Sequence, residues 1–384
     1  MNVLPFNGYD ILCFSHLRWN FVFQRPQHLL SRFAKKHRVL FVEEPVFYDG
    51  DSRFVIEETP SGVSVAVPHL PHETRPDAVE ANLKKLLGQL LDYEGLSRFV
   101  AWYYTPMMLG WSEHINPAAV VYDCMDELSA FKNAPPEMTL REAELFGLAD
   151  LVFTGGRSLY EAKQGLHDAV YCFPSSIDVN HFSRALAPTE DPDDQAGISY
   201  PRIGFFGVID ERTDIDLLAQ IASLRPEWQF VMLGPVVKID ESDLPRSTNI
   251  HYLGGKSYDM LPEYLAGWDV AMMPFAMNDA TRFISPTKTP EYLAAGRAVV
   301  STPITDVVRS YGENGLVRIA RTPEEFVAAI QAALEEDSND RRARASEFLE
   351  TMSWDKTAAA MSELIDEAVV KNMREDTAAT RVVY

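Results

Sequence analysis

The segment from Ala280 to Pro303, ATRFISPTKTPEYLAAGRAVVSTP, carries residue types that can bind a phosphate and a sugar. Pro286 and Pro290 fix an irregular loop and the first turn of a short helix. Free backbone N–H groups at such a helix start, together with the charge of Lys288, form an anion site. Glu291 in the first turn can accept hydrogen bonds from the vicinal hydroxyls of a ribose. The alternative is that Glu291 only complements the helix dipole and that Lys288 is solvated.

Hydroxyl side chains surround the same helix start. Ser285, Thr287 and Thr289 are candidate N-caps, and Gly296 is the C-terminal stop before a buried strand at Ala298–Ser301. The pattern predicts a loop, a helix of about two turns and a strand, with the ligand at the loop.

Alternating strands and helices must position this segment. Short apolar runs, several of them continuous, recur between helical patterns, as in buried parallel strands. In the first half they are Asp10–Ser15, Arg38–Val42, Arg98–Tyr104, Ala119–Tyr122 and Leu151–Thr154. In the second half they are Arg202–Gly207, Gln229–Leu233, Trp268–Met273 and Ala298–Ser301. A hairpin around Ser61-Gly62 interrupts the alternation. Such repetition predicts an α/β fold of doubly wound, Rossmann-like sheets with ligands at the carboxyl edges of the strands.

The length of 384 residues fits two domains rather than one core. The segment 185–200 is rich in Pro, Asp and Gly and lacks apolar periodicity, which predicts a linker. We therefore predict a first domain over 1–184 and a second over 201–352. A terminal helix is predicted over 353–371, followed by a frayed polar tail over 372–384.

Composition excludes several classes of protein. The net charge of −21 disfavours broad nucleic-acid binding and attachment of the whole molecule to an anionic membrane. The cysteines Cys13, Cys124 and Cys172 lack metal-type spacing and are typical of a reducing compartment. No apolar run approaches a membrane span, and the start lacks the pattern of a signal peptide. These features predict a cytoplasmic location. The basic run Ser31–Arg38 suits a helix end, or a weak peripheral contact with anionic lipid.

The stretch SPTKTPEYLAAGRAVVSTP resembles the nucleotide-binding segment of GT-B retaining glycosyltransferases, the class called glycosyl transferases group 1. The resemblance spans most of residues 150–370 and also includes, in order, Pro174–Phe182 (PSSIDVNHF), Gly204–Leu218 (GFFGVIDERTDIDLL), Asn249–Phe275 and Ser353-Trp354. It implies two Rossmann-like domains facing across a cleft, with the terminal helix crossing back to the first domain.

The resemblance also implies roles for residues of the second domain. Glu291 would bind the ribose hydroxyls. The backbone of Pro286–Thr289 would bind the diphosphate, together with the loop from Gly207 to Thr213 and the side chain of Arg212. Gly255 and its neighbours would lie near the base.

Three departures from the family pattern concern the site. The family usually has a glutamate eight positions before the ribose glutamate, and Phe283 stands there. Its role toward the transferred sugar is therefore unassigned or would pass to neighbours such as Asp279 or Arg282. The usual arginine after the domain-opening glycine is Val208, so that Arg212 and Lys288 would supply the positive charge.

The third departure lies in the first domain, where the segment HLRWNFVFQRPQHLLSRFA replaces the glycine-rich loop after the first strand. It resembles the N-terminal segment of a bacterial subgroup that includes teichuronic-acid-type glycosyltransferases. His16 or Arg25 could reach the diphosphate or the sugar, and His28 is a weaker candidate. The alternative is a plain helix start, with the aromatic side chains in the core.

The cluster YDCMDE (Tyr122–Glu127) follows another strand of the first domain, where the family commonly has polar residues facing the donor sugar. Asp123 and Asp126 are candidates to bind sugar hydroxyls, and simple solvation is the alternative.

Other signals are weaker. The pairs Asp191/Asp193 and Asp214/Asp216 have the Asp-x-Asp spacing of metal-dependent transferases, but they lie in the linker and at a helix start. Gly155-Gly156 lacks the full phosphate-binding fingerprint. We therefore expect no metal and no cofactor.

Together with the resemblance, these residues imply metal-independent transfer of a sugar from a nucleoside-diphosphate sugar, UDP-linked rather than GDP-linked, to a hydroxyl of a glycan or glycolipid precursor. Retention of configuration is implied by the resemblance alone. Two alternatives are an epimerase of the same fold and a nucleotide-sugar-binding subunit without catalysis.

Overall fold

The computed structural model describes residues 8–382 and contains two separate β-sheets. The strands of the first are β1 (Asp10–Phe14), β2 (Val39–Val42), β3 (Val46–Tyr48), β4 (Arg53–Glu58), β5 (Val63–Pro71), β6 (Phe99–Tyr103), β7 (Ala119–Cys124), β8 (Leu151–Thr154) and β9 (Val170–Cys172). The helices around it are α1 (Arg25–Phe33), α2 (Val79–Glu94), α3 (Leu109–Ser112), α4 (Met138–Leu148) and α5 (Arg157–Lys163). The next helix in the chain, α6 (Val179–Phe182), packs against the second domain, and Phe182 belongs to the core of that domain.

The second sheet is smaller. Its strands are β10 (Arg202–Phe206), β11 (Gln229–Leu233), β12 (Ile250–Gly254), β13 (Val270–Met273), β14 (Ala298–Ser301) and β15 (Arg318–Ile319). The helices that follow α6 in the chain are α7 (Asp193–Ala196), α8 (Ile215–Leu224), α9 (Leu261–Ala266), α10 (Lys288–Ala294), α11 (Thr305–Val307), α12 (Pro323–Glu335), α13 (Ser338–Leu349) and α14 (Trp354–Val382).

Both sheets are doubly wound, as predicted. The second is parallel throughout, in the order β12-β11-β10-β13-β14-β15. The first runs β3-β5-β2-β1-β6-β7-β8-β9 and is parallel except for β4, which pairs antiparallel with β5 in the predicted hairpin. Side chains of β1 alternate between two cores, because successive residues of a strand point to opposite faces of the sheet. The sheet is therefore covered on both faces.

The short edge strands β3, β9 and β15 were not predicted from the sequence. Two residues of β3 are exposed, and β9 and β15 contain three and two residues, so none forms a long buried apolar run.

The polar segment 185–200 is packed against the second domain. Gln195 is fully buried, and its side chain accepts a hydrogen bond from Trp268 Nε1 at 2.9 Å and donates one to the Tyr264 carbonyl at 3.1 Å. Asp191 pairs with buried Arg202 at 2.7 Å. These contacts explain why the segment is polar but ordered.

The final helix returns to the first domain, as predicted. Trp354, Met361, Ile365 and Val369 lie on one side of α14 and belong to the same core cluster as residues of α1. The helix continues through Val382, beyond the predicted end at 371, and residues 383–384 of the predicted tail lie outside the described range. Within residues 8–382, no helix combines the length and the apolar character that crossing a bilayer requires.

Candidate active site

A cavity of about 460 Å³ lies between the two domains. The first domain contributes residues 20–24, and the second contributes residues that follow β10, β11 and β12, together with the start of α10. Its sequence-predicted lining residues are Gly207, Arg212, Gly255, Thr287, Lys288 and Glu291. Because parallel strands end at one edge of a sheet, loops far apart in sequence converge here.

Lys288 is the first residue of α10, and its side chain crosses the end of β10. Gly207 has φ +143°, and a Cβ atom there would overlap the Lys288 side chain, so that this approach requires glycine. The ammonium lies 5.8 Å from the ring centroid of Phe205 and 5.9 Å from that of Phe275. Burial, followed by the charge of Arg212, lowers the pKa of Lys288. Lys288 is thus a desolvated cation facing the cavity.

A second cation is oriented by a carboxylate of its own loop. Arg212 donates from Nε to Asp210 Oδ1 at 3.0 Å and from Nη2 to Asp210 Oδ2 at 2.7 Å. Asp210 is buried, so the fork geometry fixes the guanidinium plane. Arg212 lines the main cavity and a smaller neighbouring one. An anionic ligand would therefore meet a preoriented guanidinium beside Lys288.

Glu291 is 4% exposed, and its Oε2 has no hydrogen-bond partner among the described residues. Burial raises the pKa of its carboxyl, while Lys288 lowers it. Leaving a buried polar atom unpaired costs about 1–3 kcal/mol, so the position favours a ligand that donates hydrogen bonds. The vicinal hydroxyls of a ribose are such donors.

The smaller cavity has a volume of about 100 Å³ and shares Arg212, Thr287 and Lys288 with the main one. Among its lining residues are the predicted Arg25, Asp126, Ser285 and Pro286, and also Gly155 and Ser175. Ser175 Oγ donates to the Ser285 carbonyl at 2.6 Å and links the two domains at this point. The two cavities together could accommodate a nucleotide and an attached sugar.

Asp126 is the acidic residue of the smaller cavity. Burial raises the pKa of its carboxyl to about 6, although Arg212 and Arg25 lower it. A carboxyl whose pKa is raised on folding favours the folded state below its unfolded pKa, and this contribution is lost as the pH rises through the folded pKa.

We expect Asp126→Asn to remove this pH dependence. Between about pH 4 and pH 6 the stability of the native protein should fall relative to that of the variant, because only the native protein must ionise a carboxyl whose charged form is poorly solvated. Melting temperatures of both proteins across this range provide the measurement. If the melting temperatures of the two proteins change in parallel with pH, the ionisation of Asp126 does not reduce the stability of the folded state.

Arg25 and Asp123, both predicted as site residues of the first domain, form an ion pair with each other. Arg25 Nη2 lies 2.9 Å from Asp123 Oδ1, and Arg25 Nε donates to both carboxylate oxygens of Asp123. Asp123 is fully buried and lines neither cavity, whereas Arg25 reaches the edge of the smaller one. Arg25 Nη1 also donates to the Phe173 carbonyl at 2.7 Å. The pair connects the start of α1 to the end of β7.

Three further candidates lie outside both cavities. Burial lowers the pKa of His16 to about 4, and its Nδ1 has no partner among residues 8–382. His28 is buried and stacks on Trp354 with ring centroids 4.6 Å apart. The Thr289 hydroxyl is buried beside the Met273 sulfur, which indicates a packing role for this side chain.

Residues 20–24 belong to the segment 12–28 that the sequence predicts at the cleft, although none of them was named as a site residue. The helix-start alternative describes α1 well, since Pro26 lies in the first turn and the Gln24 N–H donates to Gln27 Oε1 at 3.0 Å. However, Phe21 and Phe23 are about half exposed and line the main cavity instead of the core. The detectable signal was a run of aromatic residues in a strand-to-helix loop.

Phe283 occupies the position of the family glutamate and packs against a core cluster of the first domain. The two residues named as substitutes, Asp279 and Arg282, are exposed and line neither cavity. Arg282 lies over the Phe283 ring at 5.0 Å. Among the cavity-lining residues, Asp126 and Glu291 are therefore the carboxylates that remain for sugar hydroxyls.

No group of three or more His, Cys, Asp or Glu residues in the described range is arranged to hold a metal ion. Of the two Asp-x-Asp pairs, Asp191 is engaged by Arg202, and Asp214 caps α8 by accepting from the Leu217 N–H at 2.8 Å. These aspartates have structural partners.

Two facing, doubly wound domains and a terminal helix that returns to the first domain define the GT-B fold. The sequence of residues 200–336 matches the family Glycosyl transferases group 1. The matched range includes Lys288 and Glu291 of the second domain.

Known proteins extend this comparison. An E. coli trehalose-6-phosphate structure bound with UDP-2-fluoro glucose is 13% identical, with a TM-score of 0.68, and the match covers 92% of this chain and 98% of that one. Anabaena HepE in complex with UDP and glucose is 15% identical with a TM-score of 0.65, covering 94% and 100%. TuaH of Bacillus subtilis (strain 168), assigned to teichuronic acid biosynthesis as a glycosyltransferase, is 26% identical over 148 residues. That match spans 36% of each protein.

Proposed function

We propose that the protein is a retaining glycosyltransferase that moves a hexose from a UDP-linked donor to a hydroxyl of a glycan or glycolipid precursor. The observation that carries the proposal is the convergence of Lys288, Arg212 and the unpartnered carboxylate oxygen of Glu291 on one interdomain cavity. The UDP ligands of the two structural relatives support the choice of base. The likeness to TuaH supports polysaccharide synthesis for the cell envelope. The three cysteines are free, which supports a reducing compartment and hence the cytoplasm.

The proposed reaction breaks the bond between the anomeric carbon and the β-phosphate oxygen. Lys288 and Arg212 stabilise the charge that develops on the leaving diphosphate, and the acceptor oxygen bonds to the anomeric carbon on the same face. The acceptor proton passes to the departing phosphate oxygen. Loss of one preorganised donor to such a charge typically costs about 3 kcal/mol. The protein groups supply this charge without a metal ion.

A two-part experiment tests the proposal. A thermal-shift screen over nucleotide sugars identifies the donor, because a ligand at about 100 times its Kd stabilises the protein by ~2.7 kcal/mol. Turnover with candidate acceptors is then measured in excess EDTA. Epimerisation of the donor without acceptor, or binding without turnover, would favour one of the two alternative functions. Turnover that requires added Mg²⁺ would contradict the metal-independent mechanism.

Glu291→Gln is expected to weaken UDP and uridine to a similar extent. A hydrogen bond to a charged group contributes about 1.5–3 kcal/mol, and both ligands carry the ribose. The unliganded variant should be at least as stable as the native protein, because the substitution removes a buried carboxyl whose charged form burial already disfavours. Calorimetric titrations and melting curves provide both quantities. A loss of apo stability with unchanged affinities would indicate a structural role for Glu291.

A further inference from the structure

The nucleotide cavity has an aromatic wall that comes from the first domain. Residues 20–24 line it opposite the loops of the second domain. Phe23 extends from this segment and stacks on Tyr258 of the second domain, with ring centroids 4.2 Å apart and an angle of 21° between the planes. Both rings line the cavity, and their contact joins the two domains at its edge.

Tyr258 is also packed on the side away from Phe23. Its other face stacks on His181 at 4.1 Å and 9°, and His181 Nε2 lies 3.0 Å from the Tyr258 carbonyl. The Tyr258 hydroxyl is buried and unpartnered among the described residues. Burial, followed by the negative charge of Glu291, raises the pKa of Tyr258, so the phenol stays neutral and available as a donor. Tyr258 directly follows Gly255, Lys256 and Ser257, which line the same cavity.

Phe23 is anchored from the first domain but keeps an open surface. Its ring contacts the edge of His28 at 4.7 Å, and His28 in turn stacks on Trp354. Despite these neighbours, Phe23 is 44% exposed. A fixed aromatic ring that lines a cavity offers a preformed surface to a planar ligand.

The positions of the charged side chains indicate whether the aromatic wall would contact the diphosphate or the nucleoside of a bound nucleotide. Lys288 and Arg212 lie beside Gly207 and Val208, at the end that suits a diphosphate. At the Tyr258 end the cation is Lys256, and its Nζ is already paired with Asp194 Oδ2 at 2.5 Å. The Tyr258 end therefore combines aromatic rings and backbone, which suits a base and its ribose.

We propose that Phe23 and Tyr258 form a nucleoside-recognition wall, in which Phe23 of the first domain contacts the nucleoside of a donor held mainly by the second. This inference rests on the proposed function, since it assumes a nucleotide donor. Nucleoside affinity then depends on both domains, and binding of the donor favours the arrangement in which Phe23 meets Tyr258.

The test compares Phe23→Ala with the native protein by calorimetric titration of UDP, uridine and inorganic pyrophosphate. A base–aromatic contact contributes about 1–3 kcal/mol, so both UDP and uridine should bind roughly tenfold or more weakly. Pyrophosphate affinity should not change. Phe23→Leu should show a smaller loss, because leucine keeps apolar area without a planar face. Phe47→Ala is the matched control, since Phe47 is 41% exposed in the same domain and lines neither cavity.

Unchanged uridine and UDP affinities in Phe23→Ala would overturn the inference. An equal loss for pyrophosphate would also overturn it, because it would indicate general disturbance of the cleft rather than a nucleoside contact. If Lys288→Ala weakens UDP while Phe23→Ala does not, only this inference fails. If the native protein binds neither UDP nor a UDP-sugar, the proposed function fails as well. Melting curves of each variant confirm that it is folded.

Discussion

Replacing Lys288 by alanine is expected to weaken UDP binding by about 2–4 kcal/mol, roughly 30- to 1000-fold, while uridine binding stays nearly unchanged. The partly buried ammonium lies 5.8 and 5.9 Å from the ring centroids of Phe205 and Phe275, at the end of the cavity proposed for the diphosphate. A charge interaction in such a water-poor site is stronger than at the surface. Uridine carries no phosphate, so its affinity should not depend on Lys288. Calorimetric titration of both ligands provides the measurement.

The matched control is Lys256→Ala. Lys256 lines the same cavity, but Asp194 neutralises it, so its removal should change UDP affinity little. Burial and Arg212 already disfavour the charged form of Lys288, and its loss should therefore not reduce the stability of the unliganded protein. Equal weakening of UDP and uridine, or a large drop in apo stability, would mean that Lys288 supports the loop rather than the ligand.

Local patterns were sufficient to predict the core of the fold. Buried strands such as β10 and β14 appear in the sequence as continuous apolar runs, because both faces of each sheet are covered. The short edge strand β3 has no such run, because two of its three residues are exposed. The predicted hairpin was confirmed, since Gly62 adopts φ +81° between β4 and β5.

The candidate site was predictable where its residues are neighbours in the chain. The stretch from Ser285 to Glu291 could be recognised because proline, hydroxyl residues and one lysine together define a loop before a helix. Contacts between distant segments could not be predicted. Asp123 lies 98 positions after Arg25, and nothing in either local sequence indicates that they pair. The stacking partner of Phe23 is likewise a distant residue, Tyr258 of the other domain.

The second large effect concerns the buried ion pair of Arg25 and Asp123 and the stability of the first domain. Asp123→Ala leaves the guanidinium of Arg25 buried without a counter-charge, and removing one partner of a buried pair costs about 3–5 kcal/mol. Urea unfolding measures this loss in the transition of the first domain, since two domains need not unfold together. The exposed pair of Lys84 and Glu113, 3.5 Å apart, provides the control. Glu113→Ala should cost less than about 1 kcal/mol.

A double variant separates the pair from its surroundings. Arg25→Met combined with Asp123→Leu removes both charges. Its cost should be smaller than the sum of the two single substitutions, because each single substitution strands one buried charge and the double variant strands none. Part of the loss should remain, since the Phe173 carbonyl loses its bond from Arg25 Nη1. If Asp123→Ala abolishes sugar transfer but leaves the free energy of unfolding unchanged, Asp123 acts on the sugar, the role for which its sequence position makes it a candidate. A large loss of stability would instead assign the pair to holding α1 against β7, which fixes the adjoining Asp126 at the edge of the smaller cavity.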